Sequence, residues 1–260
     1  KEGGEVKKMH NLLTPSTYNV GTNEDGTAEV EELLGGQVFD NPKPTSLMRT
    51  LVRAVTYDDP EALILDFFAG SGTTAHAVML QNAADGGRRR VISVNLPEAV
   101  DADSAAGLAG YSTVADITFR RIVAAMLTVE GAPAMGLRVF KLGQSNFHAA
   151  ANLEGEGLLD LRLSTLSEGD PDLEGIAAEV LLSEGVCLHE QLQRQVVGSA
   201  QMVVSRDVAV LLSLSIDDDL VDAALGLKPR VLNFLEDGFS DKDDVKTNAL
   251  TRARELGITM

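Results

Sequence analysis

The sequence predicts an α/β protein in two unequal parts: a parallel strand, helix, strand unit in its first half, and a small α/β domain in its second. Three observations carry this. Ala62-Leu63-Ile64-Leu65-Asp66 is a short apolar run ending in an acid, which suits a strand buried on both faces of a parallel sheet. Small residues and glycines follow it, then a helical stretch from Thr73 to Ala83 that Asp85-Gly86-Gly87 stops. After Arg88-Arg89-Arg90, the run Val91-Ile92-Ser93-Val94-Asn95 reads as the second strand. Such a crossover is right-handed in nearly all proteins, and open α/β sheets bind ligands at the carboxyl ends of their strands.

The other elements follow in chain order. Residues 1–38 read as a polar arm, with a turn at Gly21-Thr22-Asn23-Glu24-Asp25-Gly26 and a short helix from Ala28 to Leu34. Asn41-Pro42-Lys43-Pro44 forces an extended backbone, because each proline fixes its own φ and biases its predecessor away from the helix. Thr45 or Ser46 then caps a helix whose Leu47, Met48, Leu51, Val52 and Val55 share one face. Gly110-Tyr111 leads into a helix from Thr113 to Leu127 with Arg120 and Arg121 on its polar side, and Leu137 to Leu142 reads as a third strand. The ligand-binding domain is accordingly set at residues 39–147.

A linker over 144–157 separates it from the small α/β domain at 158–260. That domain is expected to hold helices over Leu173 to Ser183, Leu220 to Leu225 and Lys246 to Leu256. Its expected strands run over Gln201 to Val204, Val208 to Leu214 and Arg230 to Leu235.

Composition narrows the function classes. At 260 residues, 44% hydrophobic and 23% charged, the chain has the make-up of a soluble globular protein. No apolar run approaches the ~18 residues that cross a bilayer. A single cysteine, Cys187, excludes a disulfide framework and a multi-cysteine metal site; it fits a reducing cytoplasm and is expected as a small buried hydrophobe. The opening Lys1-Glu2-Gly3-Gly4 shows no signal region and reads as a cut.

The net charge is -17, and residues 151–260 hold 21 Asp and Glu against 9 Lys and Arg. Affinity for a duplex comes largely from cations, so this half is not expected to grip DNA. Asp217-Asp218-Asp219 and Asp241-Lys242-Asp243-Asp244 read as acids at helix amino ends, and Arg88-Arg89-Arg90 as a solvated cluster.

Gly70-x-Gly72-x-x-Ala75 fits a loose dinucleotide fingerprint, and three ligands compete for it. A P-loop needs a lysine after its last glycine, where this chain has Thr73-Thr74. A nicotinamide or flavin site has its glycines directly after the strand and an acid ending the second strand; here Asp66 precedes Gly70 by four residues and the second strand ends at Asn95. S-adenosylmethionine has an ammonium that an acid at a strand tip can hold, and glycines let the backbone approach it. Asp66, Gly70 and Gly72 meet that demand.

Asp66-Phe67-Phe68-Ala69-Gly70-Ser71-Gly72-Thr73-Thr74 resembles the cofactor motif of the beta-class amino methyltransferases that act on DNA. Phe39-Asp40-Asn41-Pro42-Lys43-Pro44-Thr45-Ser46-Leu47 is similar to the companion motif that precedes it. Val94-Asn95-Leu96-Pro97-Glu98, Gly110-Tyr111-Ser112-Thr113-Val114-Ala115-Asp116-Ile117 and Val139-Phe140-Lys141-Leu142 resemble the modification subunit of type III restriction-modification systems in particular. The stretch from Phe239 to Asn248 resembles the end of that subunit.

The resemblance implies a partial, circularly permuted Rossmann-like methyltransferase fold and S-adenosylmethionine as cofactor. It places Lys43, Pro44, Ser46 and Asp66 at the cofactor's amino acid end, Phe67, Phe68, Ala69, Gly70, Ser71, Gly72 and Thr73 beneath it, and Asn95 and Leu96 by the ribose and adenine. Asn95 departs from the acid common there, although an amide can still bond a hydroxyl. The resemblance also implies a homodimer and a restriction subunit as partner, with residues 158–260 as the candidate contact region.

The Asp-Pro-Pro-Tyr type motif that holds a flipped adenine is missing, since the chain has no Pro-Pro pair. In this class that motif and the target-recognition region come before the cofactor motif, so both are expected upstream of Lys1. The expectation is the cofactor-binding part of an adenine methyltransferase, inactive alone, with no catalytic and no metal-binding residue of its own and with duplex DNA held by the missing region. A non-catalytic interaction module on the same fold is the alternative.

Overall fold

The computed structural model describes Met9 and residues 12–147, 172–187 and 189–260. The chain divides into two compact units, Lys1–Leu137 and Arg138–Met260. The linker expected over 144–157 and the beginning of the expected 158–260 domain lie mainly outside the described residues.

The first unit opens with a single turn, α1 (Pro15–Tyr18), and helix α2 (Asn23–Leu34). Within the segment expected as an arm with a turn at 21–26, residues 23–34 are instead helical and Val20, Val30 and Val38 are buried. Thr22 N donates to the Asp25 carboxylate at 2.7 Å, so the polar run that resembles a turn is a helix start. Val30 of α2 and Val38 are buried with Ala106 and Ile117. Gly26 lies mid-helix because a Cβ there would fall 2.2 Å from the Pro42 carbonyl oxygen; α2 thus sits directly against the Pro42-Lys43 bend.

Helix α3 (Thr45–Val55) starts after Pro44, and α4 (Thr73–Asp85) joins the parallel strands β1 (Leu63–Asp66) and β2 (Arg90–Ser93). Gly86, at φ 71°, ends α4. A short α5 (Ala105–Leu108) precedes α6 (Val114–Thr128), which opens with a reciprocal cap: Thr113 N donates to Asp116 Oδ2, and Asp116 N donates to Thr113 Oγ1.

Two expectations fail here. The strands are not buried on both faces: Val91 packs with Ala75, Met79 and Ile122 of α4 and α6, whereas Leu63, Leu65 and Ile92 on the opposite face are exposed. Among the described residues nothing layers over that outer face. Nor is the 137–142 segment a strand: its backbone joins neither sheet, and Val139, Phe140 and Leu142 are exposed. An alternating run becomes a strand only where an edge satisfies its N–H and C=O groups.

The second unit is a mixed four-stranded sheet in the order β3 (Gln193–Val197), β4 (Ala200–Ser205), β5 (Val208–Leu212), β6 (Val231–Phe234). The first two pairings are antiparallel and the last is parallel. Helix α7 (Leu173–Ser183) covers one face through Ile176, Ala177 and Leu181; α8 (Asp218–Leu225) and α9 (Asp243–Glu255) cover the other through Leu220, Val221, Ala249 and Ala253. β5, buried on both sides, is the centre of this unit.

The acids expected at helix amino ends are there. Asp217 Oδ1 caps α8 by accepting from Leu220 N at 2.9 Å, and Asp218, Asp219, Asp243 and Asp244 occupy first turns. Asp218 and Asp222 also pair with Arg252 of α9. Cys187 is exposed rather than buried, since it follows α7 in a loop after Val186 has turned into the core.

Candidate cofactor site

The site is the loop between β1 and α4 with the segments that hold it. Gly70 (φ 53°) and Gly72 (φ 82°) both adopt the left-handed conformation that glycine enters without strain. Gly72 is the amino cap of α4 and folds back on Ala69, its N–H 2.7 Å from the Ala69 carbonyl. A Cβ on Gly72 would meet the Thr118 carbonyl at 3.2 Å, so α6 packs against bare backbone.

Asp66 sits at the tip of β1. Its Oδ1 accepts from Phe68 N at 3.1 Å and the carboxylate has no other partner among the described residues. Phe67 and Phe68 stand with ring centroids 5.1 Å apart, both exposed, as is Leu96. Ala69, Ser71 and Thr73 are buried beneath the loop. At the end of β2, the Asn95 amide nitrogen donates to the Gly70 carbonyl at 3.2 Å and to Thr118 Oγ1 at 2.8 Å, while Thr118 Oγ1 donates to the same carbonyl at 2.5 Å. Asn95 Oδ1 is left as an acceptor.

The companion segment is built on α2. Ser46 Oγ accepts from Gly21 N at 2.8 Å, and the Glu29 carboxylate accepts from Thr45 N at 2.9 Å and from Thr45 Oγ1 at 2.9 Å. Pro44 is buried, whereas Lys43 is exposed with its Nζ 3.4 Å from Asn23 Oδ1. No hydrogen bond joins Lys43 or Ser46 to Asp66.

Arg121, expected on the polar side of its helix, is fully buried. It donates through one guanidinium nitrogen to Ser71 Oγ at 2.8 Å and Thr73 Oγ1 at 2.9 Å, and through the other to Glu29 at 3.3 Å. The sequence signal for it was register: position 121 falls on the same helical face as Ile117 and Ala125, where a cation survives only if paired. One turn inside α4, His76 Nδ1 is buried without a hydrogen-bond partner among the described residues. Burial, and then the nearby Arg121 charge, push its pKa down to about 4, so it is a neutral imidazole at neutral pH.

Arg89 is buried as well, correcting the solvated reading of the arginine triplet. It donates to Thr56 Oγ1 at 2.6 Å, to the Thr56 carbonyl at 3.0 Å and to Asp85 at 3.0 Å. It helps line a cleft of about 520 Å³ with Arg49, Arg53, Tyr57 and Gln81, at the amino ends of the strands and away from the glycine loop. Among the described residues no group of His, Cys, Asp and Glu could hold a metal ion, and no helix is long and apolar enough to cross a membrane.

Residues 4–95, which include the strand, glycine loop and helix with an acid at the strand tip, match the family model described as DNA methylase. The particular kind of relative is a modification enzyme. Over 116 residues the chain is 44% identical to the Mod subunit of the type III restriction-modification enzyme StyLTI of Salmonella typhimurium, covering 44% of this chain and 18% of that protein. It is 38% identical over 117 residues to the EcoPI Mod subunit of Escherichia phage P1, covering 45% and 17%. To the type II methyltransferase M.KpnI of Klebsiella pneumoniae it is 38% identical over 115 residues, covering 44% and 26%. The chain thus matches about a quarter or less of each relative's length. The resemblance to type III modification subunits is borne out by these comparisons.

Proposed function

We propose that the first unit is the S-adenosylmethionine-binding part of an adenine-specific DNA methyltransferase of the type III modification kind. The observation that carries this is the β1–α4 loop: a tight turn through two left-handed glycines follows a carboxylate with an uncommitted oxygen at the strand tip, within the segment that matches DNA methylases. The donor set fits the ligand. Asp66 offers an acceptor to an ammonium, Lys43 a cation to a carboxylate, and Asn95 Oδ1 an acceptor to a ribose hydroxyl. Ser46 keeps its own proton to donate, and exposed Phe67, Phe68 and Leu96 offer apolar surface to an adenine ring.

When bound, S-adenosylmethionine supplies a methyl group on a sulfonium, open to attack by an amine. The chain's own residues then hold and orient: Asp66 and Lys43 grip the amino acid end, Pro44 and Ser46 shape its turn, and the 67–73 backbone lies beneath it. Rate in such a displacement comes mainly from alignment, which a rigid loop provides. A target adenine would have to be held by residues outside this chain, which carries no Asp-Pro-Pro-Tyr type motif. Duplex DNA, a restriction subunit and a second modification subunit are the partners this reading implies, with residues 158–260 the candidate contact region for the proteins.

Titration calorimetry with S-adenosylhomocysteine tests the reading. Saturable heat that disappears in Asp66→Ala and in Gly72→Val is expected. Flat heats with the unsubstituted chain would instead favour a methyltransferase-like interaction module.

A further inference from the structure

The companion motif, 39–47, and the glycine-loop motif, 66–74, share no hydrogen bond. They are joined through two residues that belong to neither. Glu29 of α2 holds the amino end of α3 by accepting from both the backbone and the hydroxyl of Thr45, and its carboxylate also takes the Arg121 guanidinium. Arg121 of α6 donates from one nitrogen to both Ser71 and Thr73, whose hydroxyls lie 3.1 Å from each other. Thr45, Ser71, Thr73 and Arg121 are all buried, so water does not compete for the Arg121 bonds to Ser71 and Thr73, while the Glu29 side chain at the other end is 28% exposed.

Stability alone does not account for the arrangement. A buried ion pair replaced by apolar groups of similar size often leaves a protein as stable or more so. What the pair provides is geometry, because a guanidinium presents its donors in a rigid planar fork, unlike a lysine ammonium. The fork spans from the loop to the carboxylate that anchors α3.

We propose that Glu29 and Arg121 are positioning residues for cofactor binding, setting the separation between the Thr45 turn and the Ser71–Thr73 loop. The ligand in this statement rests on the S-adenosylmethionine reading above; the coupling of the two segments does not.

The test uses the 260-residue chain and Glu29→Gln/Arg121→Met, which removes both charges together. Three quantities are read: melting temperature, amide hydrogen exchange at residues 70–74 without ligand, and affinity for S-adenosylhomocysteine. The double variant should melt within a few degrees of the parent, yet exchange about tenfold faster at the loop and bind about tenfold more weakly. Arg121→Lys, which keeps the charge without the fork, should fall between. Loop exchange and affinity equal to the parent's would overturn the proposal.

If the parent itself gives no heat, the cofactor reading fails, and loop exchange alone judges the coupling: faster supports it and unchanged overturns it. Should the double variant unfold, Glu29→Gln alone decides on the same readouts. This variant keeps the shape and one acceptor, and a roughly threefold change is expected; no change overturns the proposal.

Discussion

Asn95 lies 3.2 Å from the Gly70 carbonyl through its amide nitrogen, and the same nitrogen reaches Thr118, so one side chain ties the end of β2 to the glycine loop and to α6. Asn95→Asp replaces that donor with an acceptor facing another acceptor. The variant is expected to lose about 1–3 kcal/mol of stability and to bind S-adenosylhomocysteine more weakly. Thermal melting and calorimetry check this, and an unchanged melting point would show that Thr118 alone secures the carbonyl.

Gly72→Ala is expected to cost about 1–2 kcal/mol for an L residue in the left-handed region, plus the contact with the Thr118 carbonyl at 3.2 Å. Gly86→Ala, also left-handed but with nothing within 4 Å of a Cβ, isolates the backbone part. The difference between their denaturant midpoints measures how closely α6 presses on the loop.

His76 gives the first unit a dependence on acid. Its folded pKa is about 4, and an unfolded histidine titrates near 6.5. The unfolded chain therefore binds the proton more readily, so the contribution is intact above about pH 6.5 and is lost as pH falls toward 4. The loss should be on the order of 1–3 kcal/mol. His76→Gln should flatten the stability profile over that window, and a profile as steep as the parent's would assign the acid sensitivity to other groups.

Arg89→Ala is expected to destabilise the first unit by about 2 kcal/mol, because it removes the buried hydrogen bonds to the Thr56 hydroxyl and carbonyl and leaves the space of the guanidinium unfilled. Arg88→Ala and Arg90→Ala, whose side chains are exposed, should stay within about 0.5 kcal/mol. Three denaturation curves compare the members of one triplet.

The chain alone is expected to transfer no methyl group to an adenine-containing duplex, since it contains no Asp-Pro-Pro-Tyr type motif for the flipped base. Tritium transfer from labelled S-adenosylmethionine measures this, and label in the DNA would show that the target base is held by residues of this chain.

Local patterns were legible where one segment decides its own conformation. The 62–95 strand, loop and helix, the helix from Thr113 to Leu127, and most of the second unit's elements fall where glycine, proline and periodicity put them. β3 escaped because Gln193-Arg194-Gln195 is polar, as suits a strand with one edge unpaired among the described residues. Placement of single charges was not legible. Arg89 and Arg121 resemble their solvated neighbours Arg88 and Arg120 until Thr56, Glu29, Ser71 and Thr73, distant in sequence, arrive around them. For the same reason the segment before Phe39 reads as an arm: Glu29, whose side chain holds Thr45, and Gly21, whose backbone N–H holds Ser46, find their partners only in the fold.

The bare outer face of the β1–β2 pair bears on how the protein behaves in a tube. Leu63, Leu65, Ile92 and Val94 form an apolar strip beside strand edges that are open among the described residues, a combination that invites copies to adhere. A net charge of -17 opposes this by mutual repulsion between copies. Colloidal stability is therefore a balance that salt and acid can tip: screening weakens the repulsion and protonation removes it, while the strip is untouched. Dilute buffer near neutral pH is the condition in which the chain should stay dispersed.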